Sequence, residues 1–355
     1  LENASMPNRV VVQWDKDDCA DMGIIKVDLL GLGMMAVIEE SLTLINTPTP
    51  KLDLAHLPPN DPAVYRLLQN ADTVGVFQVE SRAQMSTLPR LKPKRFYDIV
   101  VEVALVRPGP IVGQMVHPYL KRRAGREPVA YPHPLLEPIL RRTLGVPLFQ
   151  EQLLRIAMVA AGFTGGEAEE LRRAFGDKRS EQRMKQIEVK LRAGMHKQGI
   201  NGSVADDIVR SIAAFASYGF PESHAASFAL LVYASAYLKA HYPAVFYTAL
   251  LNNQPMGFYR PATLVKDAQR RGVRFLGIDV QRSNWNCSVN TDGTVRLGLR
   301  YVSGLREHVG RAIESAKGFI VCPKCGCDDP LMLETVEDAI GQHGFCSTCA
   351  HDWTV

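Results

Sequence analysis

The sequence lacks several features that would assign it to common functional classes. Its 355 residues contain no run close to the roughly 18 uninterrupted apolar residues that a membrane helix requires, so no membrane partner is expected. The first ten residues lack the layout of a secretory signal, and no internal repeat is visible. Outside the C-terminal segment the only cysteines are Cys19 and Cys287, which excludes a dispersed disulfide framework and favours a cytoplasmic location.

The bulk composition is that of an ordinary globular protein, with 46% hydrophobic and 22% charged residues and enough length for two or three domains. The net charge of +4 is too small to indicate a nucleic-acid partner by itself, but the basic residues are clustered. The clusters are Lys121–Arg123 with Arg126, Arg141 with Arg142, and the stretch from Arg172 to Arg192. Such clusters either neutralise backbone phosphates or form solvated helix faces.

Hydrophobic periodicity predicts a mainly helical chain with short strands. Strands are predicted at Val10–Trp14 and Gly23–Leu30, followed by a helix at Met34–Ile45. Thr164 and Glu167 have the spacing of a capping box at the start of a helix. Further helices are predicted at Leu148–Ala161, Glu181–Gln198, Val204–Ser217, His224–Ala240, Ala244–Leu251, Pro261–Arg271 and Leu305–Ala316, with strands at Val273–Ile278 and Val295–Leu299.

Asp28 is an acid within an apolar, strand-like run, and Lys26 lies on the same face because strand side chains alternate. An unpaired buried charge is costly, so Asp28 either pairs with Lys26, caps the next helix or ligates a metal ion. Phosphoryl transfer with two metal ions needs two or three carboxylates close together, and one aspartate is too few. Asp15 and Asp17 have a suitable D-x-D spacing, but a solvated turn explains them better.

Two other segments carry residue types suited to nucleotide chemistry. Arg172 and Arg173, near a predicted helix start, can grip a triphosphate bidentately or form a solvated face. The run from Tyr218 to Phe228 joins two helices and combines aromatic residues, a glycine and a histidine, which suits stacking on a base and contacting phosphates. The alternative for His224 is a helix cap or a structural hydrogen-bond partner.

The C-terminal segment has the most specific local pattern in the chain. Two C-x2-C pairs are separated by about 20 residues, which matches the spacing of a zinc ribbon with a tetrahedral site. The predicted zinc ligands are Cys322, Cys325, Cys346 and Cys349. Cys327 is then a spare thiol, and His343 or His351 can replace one ligand.

A series of ordered motifs extends over residues 10–316. One group is Lys26-Val-Asp-Leu-Leu-Gly-Leu32, Gly75-Val-Phe-Gln-Val-Glu-Ser-Arg82, Arg107-Pro-Gly-Pro110, Phe149-Gln-Glu-Gln152, Leu171-Arg-Arg-Ala-Phe-Gly176 and Tyr218-Gly-Phe220. A second group is Gln13-Trp-Asp-Lys-Asp17, Val116-His-Pro-Tyr119, Pro221-Glu-Ser-His224-Ala-Ala-Ser227 and Asn253-Gln-Pro-Met-Gly-Phe-Tyr259. The first group resembles the alpha subunit of bacterial DNA polymerase III (the DnaE-like C family), and the second resembles its error-prone, ImuC-type branch.

The resemblance implies an α+β fold that is mainly helical. Residues 1–33 would be the end of a palm similar to that of polymerase β, and residues 34–316 would be a helical fingers domain. Residues 317–355 form the zinc-ribbon-like tail, which does not resemble any part of the family. The family's paired catalytic aspartates belong to a segment upstream of this sequence. The D-x-D at Asp15 and Asp17 is therefore not expected to be the catalytic pair. A fragment of this kind is expected to be inactive by itself.

The resemblance also implies roles for individual residues in template-directed DNA synthesis. Asp28 matches the third catalytic aspartate, a ligand of Mg²⁺. The residues expected to contact the nucleotide triphosphate are Lys26, Arg172 and Arg173, and those expected to line its pocket are Tyr218, Gly219, Phe220 and His224. The expected partners are primer–template DNA, deoxynucleoside triphosphates and other replication or translesion proteins. The alternatives are a non-enzymatic nucleic-acid-binding protein with a zinc ribbon, or one half of a split polymerase.

Overall fold

The computed structural model describes the chain except for certain residues at its ends and in internal gaps. The residues not described are 1, 4–8, 12–13, 15, 26–28, 48–51, 107–112, 177–180, 217–219, 316–321, 330, 339–340 and 355. The described residues form two compact units. The first unit is Leu1–His241 with Pro255–Phe258, and the second is Tyr242–Gln254 with Tyr259–Val355.

The N-terminal part of the first unit contains a small antiparallel pair of strands, β1 (Glu2–Asn3) and β2 (Val10–Val11), followed by helix α1 (Lys16–Asp21). The prediction of a strand at Val10–Trp14 is confirmed for its first two residues. The D-x-D segment, predicted as a solvated turn, instead enters a helix at Lys16.

The predicted strand at Gly23–Leu30 is wrong for its described residues, which are turn and coil. Gly23 adopts a left-handed φ of +69°, and the N–H of Ile24 donates to the carbonyl of Cys19, so the chain closes the end of α1 instead of extending. Ile25 is 86% exposed and Leu29 66% exposed. An apolar run forms a strand only where a neighbouring strand can pair with it, and no described strand pairs with this run.

The body of the first unit is helical, as predicted. Its helices are α2 (Leu32–Asn46), α3 (Pro62–Gln69), α4 (Arg82–Leu91), α5 (Phe96–Leu105), α6 (Gly113–Arg123), α7 (Glu137–Leu140), α8 (Gln150–Ala161), α9 (Gly165–Gly176), α10 (Glu181–Lys197), α11 (Gly202–Ala216) and α12 (Glu222–His241). Short 3-10 turns occur at Leu54–His56, Pro134–Leu136 and Arg141–Thr143.

Helix ends follow the capping signals in the sequence. The Thr164 N–H donates to Glu167 Oε2 at 2.9 Å and the Glu167 N–H donates to Thr164 Oγ1 at 3.3 Å, so the predicted capping box of α9 is confirmed. Helix α8 ends at Gly162, whose φ of +68° is the left-handed conformation that glycine adopts without steric cost. Asp61 caps α3 by accepting from the N–H groups of Ala63 and Val64.

Two helical cores build the first unit. Helix α12 packs against α2, α3 and α5, and α8 packs against α9 and α10. The loop that precedes α4 is held to α12 by buried polar contacts: Lys239, which is fully buried, donates to the carbonyl of Val74 at 2.8 Å and pairs with Asp72 at 3.2 Å. Ser235 Oγ accepts from the N–H of Phe77 at 3.2 Å. These contacts fix the position of α12, on which the candidate site depends.

The second unit combines helices with two small sheets. Its helices are α13 (Pro243–Asn252), α14 (Pro261–Arg270) and α15 (Glu307–Ser315), with a 3-10 turn at Leu299–Tyr301. One sheet has the order β3-β5-β4, with β3 (Phe275–Leu276) parallel and β4 (Ser288–Val289) antiparallel to β5 (Val295–Arg296). The other is an antiparallel meander of β6 (Leu333–Asp338), β7 (Gly341–Cys346) and β8 (His351–Thr354). The prediction of a mainly helical α+β fold is confirmed.

Among the residues that the structure describes, no helix combines the length and the apolar character needed to span a bilayer.

The most heavily buried carboxyl group of the described residues lies within α5. Glu102 is 0% exposed, and neither of its carboxyl oxygens has a hydrogen-bond partner among the described residues. Burial alone raises the pKa of Glu102 to about 8, so its carboxyl is protonated at neutral pH.

We expect Glu102→Gln to reduce the pH dependence of folding stability. Because the folded pKa is raised above the ordinary value of 4.5, the stability contribution of Glu102 is full below pH 4.5 and is lost as the pH rises through about 8. Glutamine has nearly the same shape and does not titrate. Urea unfolding midpoints measured at a series of pH values in this range should therefore decline less in the variant than in the wild type.

The matched control for this experiment is Glu39→Gln, which changes an exposed glutamate of the same unit. Some decline should persist in every variant, because burial also raises the pKa of Glu80 to about 7. Identical pH profiles for Glu102→Gln and the wild type would show that Glu102 is ionised in the folded protein.

Candidate functional site

The structure brings together two of the motifs singled out in the sequence. Phe149 and Phe220 form an isolated parallel β-bridge, and the N–H of Gln150 donates to the carbonyl of Phe220 at 3.1 Å. The start of α8 therefore lies beside the segment that leads into α12. Neither segment indicates this pairing by itself, because the two are far apart in the sequence.

Polar side chains of the 149–152 motif hold this junction. Glu151 Oε2 accepts from the N–H of Glu222 at 3.0 Å and so caps the first turn of α12, where a negative charge is also favoured by the helix dipole. Gln152 Oε1 accepts from the N–H groups of Leu148 and Phe149, and its Nε2 donates to Thr143 Oγ1 at 2.9 Å. The motif therefore has a structural function that its sequence did not reveal.

An aromatic row extends from the junction along one face of α12. The ring centroids of Phe220 and His224 are 5.0 Å apart, those of His224 and Phe228 are 4.1 Å apart, and those of Phe228 and Phe77 are 5.2 Å apart. His224 and Phe228, four residues apart, lie on one face of α12, and Phe220 lies two residues before the helix begins. Phe77 and Phe228 are buried, whereas Phe220 and His224 are partly accessible. The accessible end of the row offers aromatic faces on which a base can stack.

Arg142 and Tyr97 lie against the same junction, and neither was predicted as a site residue. The Arg142 guanidinium lies 3.8 Å from the centre of the Tyr97 ring, and it forms an ion pair with Glu222 at 3.5 Å. Burial and the carboxylate of Glu222 raise the pKa of Tyr97 above its ordinary value. Arg142 belonged to a predicted basic cluster, but only the tertiary contact with Tyr97 distinguishes it from Arg141.

Arg172 is an exposed residue of α9 whose described contacts are with its own helix. Its Nε lies 3.0 and 2.9 Å from the two carboxylate oxygens of Glu169, and its Nη2 lies 2.6 Å from one of them. The helix spacing of three residues brings the two side chains together. Glu169 therefore competes with an anion for the Arg172 guanidinium.

Several predicted site residues lie outside the residues that the structure describes. They are Lys26, Asp28, Tyr218 and Gly219, together with Asp15 of the D-x-D segment and the side chains of Asp17 and Arg173. Their predicted roles therefore remain predictions.

Most described arginines of the basic clusters form internal ion pairs. Arg123 is bidentate to the buried Asp98, with distances of 2.9 and 2.7 Å, and holds the pKa of this carboxyl below its ordinary value against the effect of burial. Arg192 pairs with both Glu188 and Asp206. These contacts favour the interpretation of the clusters as structural and solvated helix faces.

The four predicted zinc ligands converge in the second unit. The Sγ atoms of Cys322, Cys325, Cys346 and Cys349 all lie within 4.8 Å of one another. Those of Cys322 and Cys349 are 3.5 Å apart, and those of Cys325 and Cys346 are 3.6 Å apart. Tetrahedral zinc with Zn–S bonds of about 2.3 Å requires Sγ separations of about 3.8 Å. The cluster therefore fits a zinc ion.

The register of the meander explains this convergence. Cys346 ends β7 opposite Leu333 of β6 and His351 of β8, and the two C-x2-C turns lie at the same end of the sheet. Cys327 lies outside the four-thiol cluster, and its sulfur accepts from Thr348 Oγ1 at 3.3 Å. His343 and His351 are not members of the cluster either.

The thiols of the cluster have strongly divergent acidities. Burial raises the pKa of Cys346, but the N–H groups of Cys349 and Thr348 and the thiol of Cys325 outweigh burial and lower this pKa to about 6. Burial and the neighbouring thiols raise the pKa of Cys349 to about 12. Four adjacent thiolates repel one another, and a dication at their centre offsets that repulsion.

Comparisons with known proteins agree with the sequence motifs. Residues 34–199, which span most of α2 to α10, match the family model of the bacterial DNA polymerase III alpha subunit finger domain, and residues 272–319 match a helix-hairpin-helix motif. Similar relatives are the error-prone DNA polymerases of Anaeromyxobacter sp. (strain K), Methylococcus capsulatus and Pseudomonas aeruginosa, with identities of 53%, 50% and 51%.

Each of these matches covers 89% of this chain but only 30%, 32% and 31% of the respective relative. The chain thus spans about a third of the length of the relatives that it matches. Residues 34–199 therefore belong to the class of polymerase finger domains. The chain belongs to the bacterial DNA polymerase III alpha-subunit family and, within it, to the error-prone branch. The predicted family is confirmed.

We expect the purified chain to contain one zinc ion and Cys346→Ser to lose it, because serine cannot supply the buried thiolate ligand. Elemental analysis of protein purified without added metal measures the stoichiometry. The matched control is Cys327→Ser, which changes a cysteine of the same segment outside the cluster and should retain the zinc. Equal zinc contents in the two variants would contradict the assignment of the four ligands.

Proposed function

We propose that this chain provides the fingers of an error-prone DNA polymerase, which contact the incoming nucleotide and the primer–template DNA. The observation that carries the proposal is an identity of 50–53% to error-prone DNA polymerases over 89% of the chain. The proposed reaction of the whole polymerase is template-directed nucleotidyl transfer, in which a primer hydroxyl attacks the α-phosphate and pyrophosphate leaves.

The aromatic row at the start of α12 is the proposed nucleotide pocket. Phe220 and His224 offer partly accessible rings, and the contacts of His224 with Phe220 and Phe228 hold the His224 ring in a defined orientation. A base can stack on these rings without sequence-specific hydrogen bonds. Tyr218 and Gly219, in the preceding segment, are proposed to line the same pocket. The cap from Glu151 to Glu222 would keep the row in register with α8.

The triphosphate is proposed to contact Lys26, Arg172 and Arg173, whose charges would offset those of the phosphates. Asp28 is proposed as one carboxylate ligand of two magnesium ions, which would supply charge stabilisation for phosphoryl transfer when bound. Because the reaction needs further carboxylates, we propose that the 355-residue chain does not incorporate nucleotides by itself.

The proposed role of Arg172 predicts opposite effects for two variants. Arg172→Gln should weaken the binding of a deoxynucleoside triphosphate by about three- to tenfold, the loss typical of one charge-assisted contact at an exposed site. Glu169→Gln should strengthen it, because the neutral amide competes less well for the guanidinium that Glu169 now holds. Titration calorimetry with one triphosphate and magnesium measures both effects.

Arg210→Gln, which changes an exposed arginine paired with Asp207, is the control for a general loss of positive charge. If Arg172→Gln and Arg210→Gln bind the triphosphate equally well, Arg172 is not a phosphate contact.

Primer extension with magnesium and all four nucleotides tests the polymerase proposal directly. The wild-type chain and Asp28→Asn are both expected to give no extension, while primer–template binding weakens as the salt concentration rises. Extension by the wild-type chain that is lost in Asp28→Asn would overturn the proposed inactivity. It would also mean that Asp15 and Asp17 supply the missing ligands.

The four-cysteine cluster favours one second candidate, a nucleic-acid-binding protein with a zinc ribbon and no enzymatic function. This candidate predicts salt-sensitive DNA binding and stoichiometric zinc. This candidate differs from a split polymerase, in which a second chain carries the paired aspartates.

The split polymerase would be favoured if primer extension appeared on adding a polymerase segment that carries the paired aspartates, and if that extension required Asp28.

A further inference from the structure

The antiparallel meander β6-β7-β8 belongs to the cysteine-rich segment, residues 317–355, and no described helix packs extensively on its sheet. A three-stranded sheet normally buries one face against a helix or a second sheet. In β8, by contrast, His351 and Trp353 are partly accessible and Asp352 is exposed. The described part of the chain therefore leaves the faces of this sheet open to a partner.

One row of side chains crosses all three strands of the meander. Glu334 of β6 lies opposite Phe345 of β7, which in turn lies opposite Asp352 of β8. Directly opposed residues of antiparallel strands project to the same face, with Cβ atoms about 5 Å apart. Phe345 is partly accessible, and both acids are exposed. This cross-strand row (Glu334, Phe345 and Asp352) therefore presents an aromatic ring between two carboxylates.

The cross-strand row lies on the face opposite to the zinc ligand of β7. Cys346 and its cross-strand neighbour His351 project to the other side of the sheet, because strand side chains alternate. Trp353 belongs to that other side as well and covers Gly344, where an added Cβ would lie 2.4 Å from the Trp353 ring. A molecule that binds the cross-strand row therefore leaves the metal ligands in place.

The charge of the row is not neutralised by the chain. Within the described residues, neither Glu334 nor Asp352 forms a hydrogen bond or an ion pair. Residues 317–355 contain six acidic residues and two lysines, a net charge of −4 in a chain whose total is +4, so residues 1–316 carry +8. Four thiolates around one zinc dication add a further charge of −2 to the segment. The face therefore repels phosphates and attracts cations.

From these observations we infer that the cross-strand row binds an arginine-rich segment of a partner protein. A guanidinium is planar, stacks on an aromatic face and pairs with carboxylates through a fixed fork of N–H groups. Stacked on the Phe345 ring, it has a carboxylate on either side, from Glu334 and from Asp352. The ammonium group of lysine has no planar face to stack, so it fits this arrangement less well.

This interaction surface is distinct from the proposed nucleotide pocket and does not depend on polymerase activity. It also gives the cysteine-rich segment a different ligand from the nucleic acid of the zinc-ribbon candidate. The acidic charge of the segment opposes a nucleic-acid ligand and complements a basic protein segment.

The experiment measures the binding of two fluorescein-labelled peptides to the zinc-loaded full chain by anisotropy. One peptide alternates arginine and serine, and the other alternates lysine and serine at the same length and charge. The variants are Glu334→Gln, Asp352→Asn and Phe345→Leu. The matched control is Asp328→Asn, which removes an exposed charge of the same segment outside the sheet.

Because Glu334 and Asp352 are exposed, their variants should fold, and zinc content and thermal unfolding check this for every variant. The two acidic positions suffice for the test if Phe345→Leu loses its zinc.

Each variant of the cross-strand row is expected to bind the arginine peptide about threefold more weakly, the loss typical of one exposed ion pair or cation–π contact. Asp328→Asn should match the wild type. The wild type should bind the lysine peptide more weakly than the arginine peptide, and Phe345→Leu should reduce that difference, because it removes the ring on which a guanidinium stacks.

Glu334→Gln and Asp352→Asn chains that bind the arginine peptide as well as Asp328→Asn would overturn the inference. A labelled oligonucleotide that the wild type binds more tightly than Phe345→Leu does would overturn it in favour of base stacking on the same face. Self-association of the wild-type chain in sedimentation experiments that Glu334→Gln abolishes would assign the face to a second copy of the chain instead.

Discussion

The contact between the start of α8 and the start of α12 is the interaction on which the first unit most depends. Glu151 and Glu222 are 71 residues apart in the sequence, yet one carboxylate oxygen of Glu151 caps the helix that begins at Glu222. This cap, together with the bond from Gln150 to the carbonyl of Phe220, positions the aromatic row of α12 beside Arg142 and Tyr97. The buried Lys239 holds the other end of α12 to the loop before α4, so α12 is supported at both ends.

Charge has different functions in the two units. In the first unit, arginines such as Arg123 and Arg192 are largely neutralised by acidic neighbours, and the buried pair with Asp98 belongs to the fold. In the second unit, Arg274, Arg282 and Arg296 lie on or beside the small sheet β3-β5-β4, while many of the acidic residues are in the cysteine-rich segment. A modest net charge of +4 therefore conceals a strong internal separation of charge. Sequence clustering located the basic stretches but not the sites where positive charge remains uncompensated.

Several predictions from the sequence succeeded because the responsible forces are local. The capping box of Thr164 and Glu167, the stop at Gly162 and the extents of the long helices depend on residues within one or two turns. The run at Gly23–Leu30 failed because a strand requires a partner that local apolarity cannot supply. The contributions of Tyr97, Arg142 and Glu151 to the site were missed for the same reason, since each acts through a residue distant in sequence.

The sequence by itself determined the family, the mainly helical class and the four-cysteine cluster. Ordered motifs and C-x2-C spacing are short-range features, so they can be recognised from the amino-acid sequence alone. Only the tertiary structure decided which of the many charged and aromatic side chains contact one another. It brought Phe220 and His224 next to the 149–152 motif, placed Arg142 against Tyr97 and assembled Arg274, Arg282 and Arg296 around one groove. Contacts between residues that are distant in sequence depend on how helices and sheets pack, and packing is a property of the whole unit that no local pattern encodes.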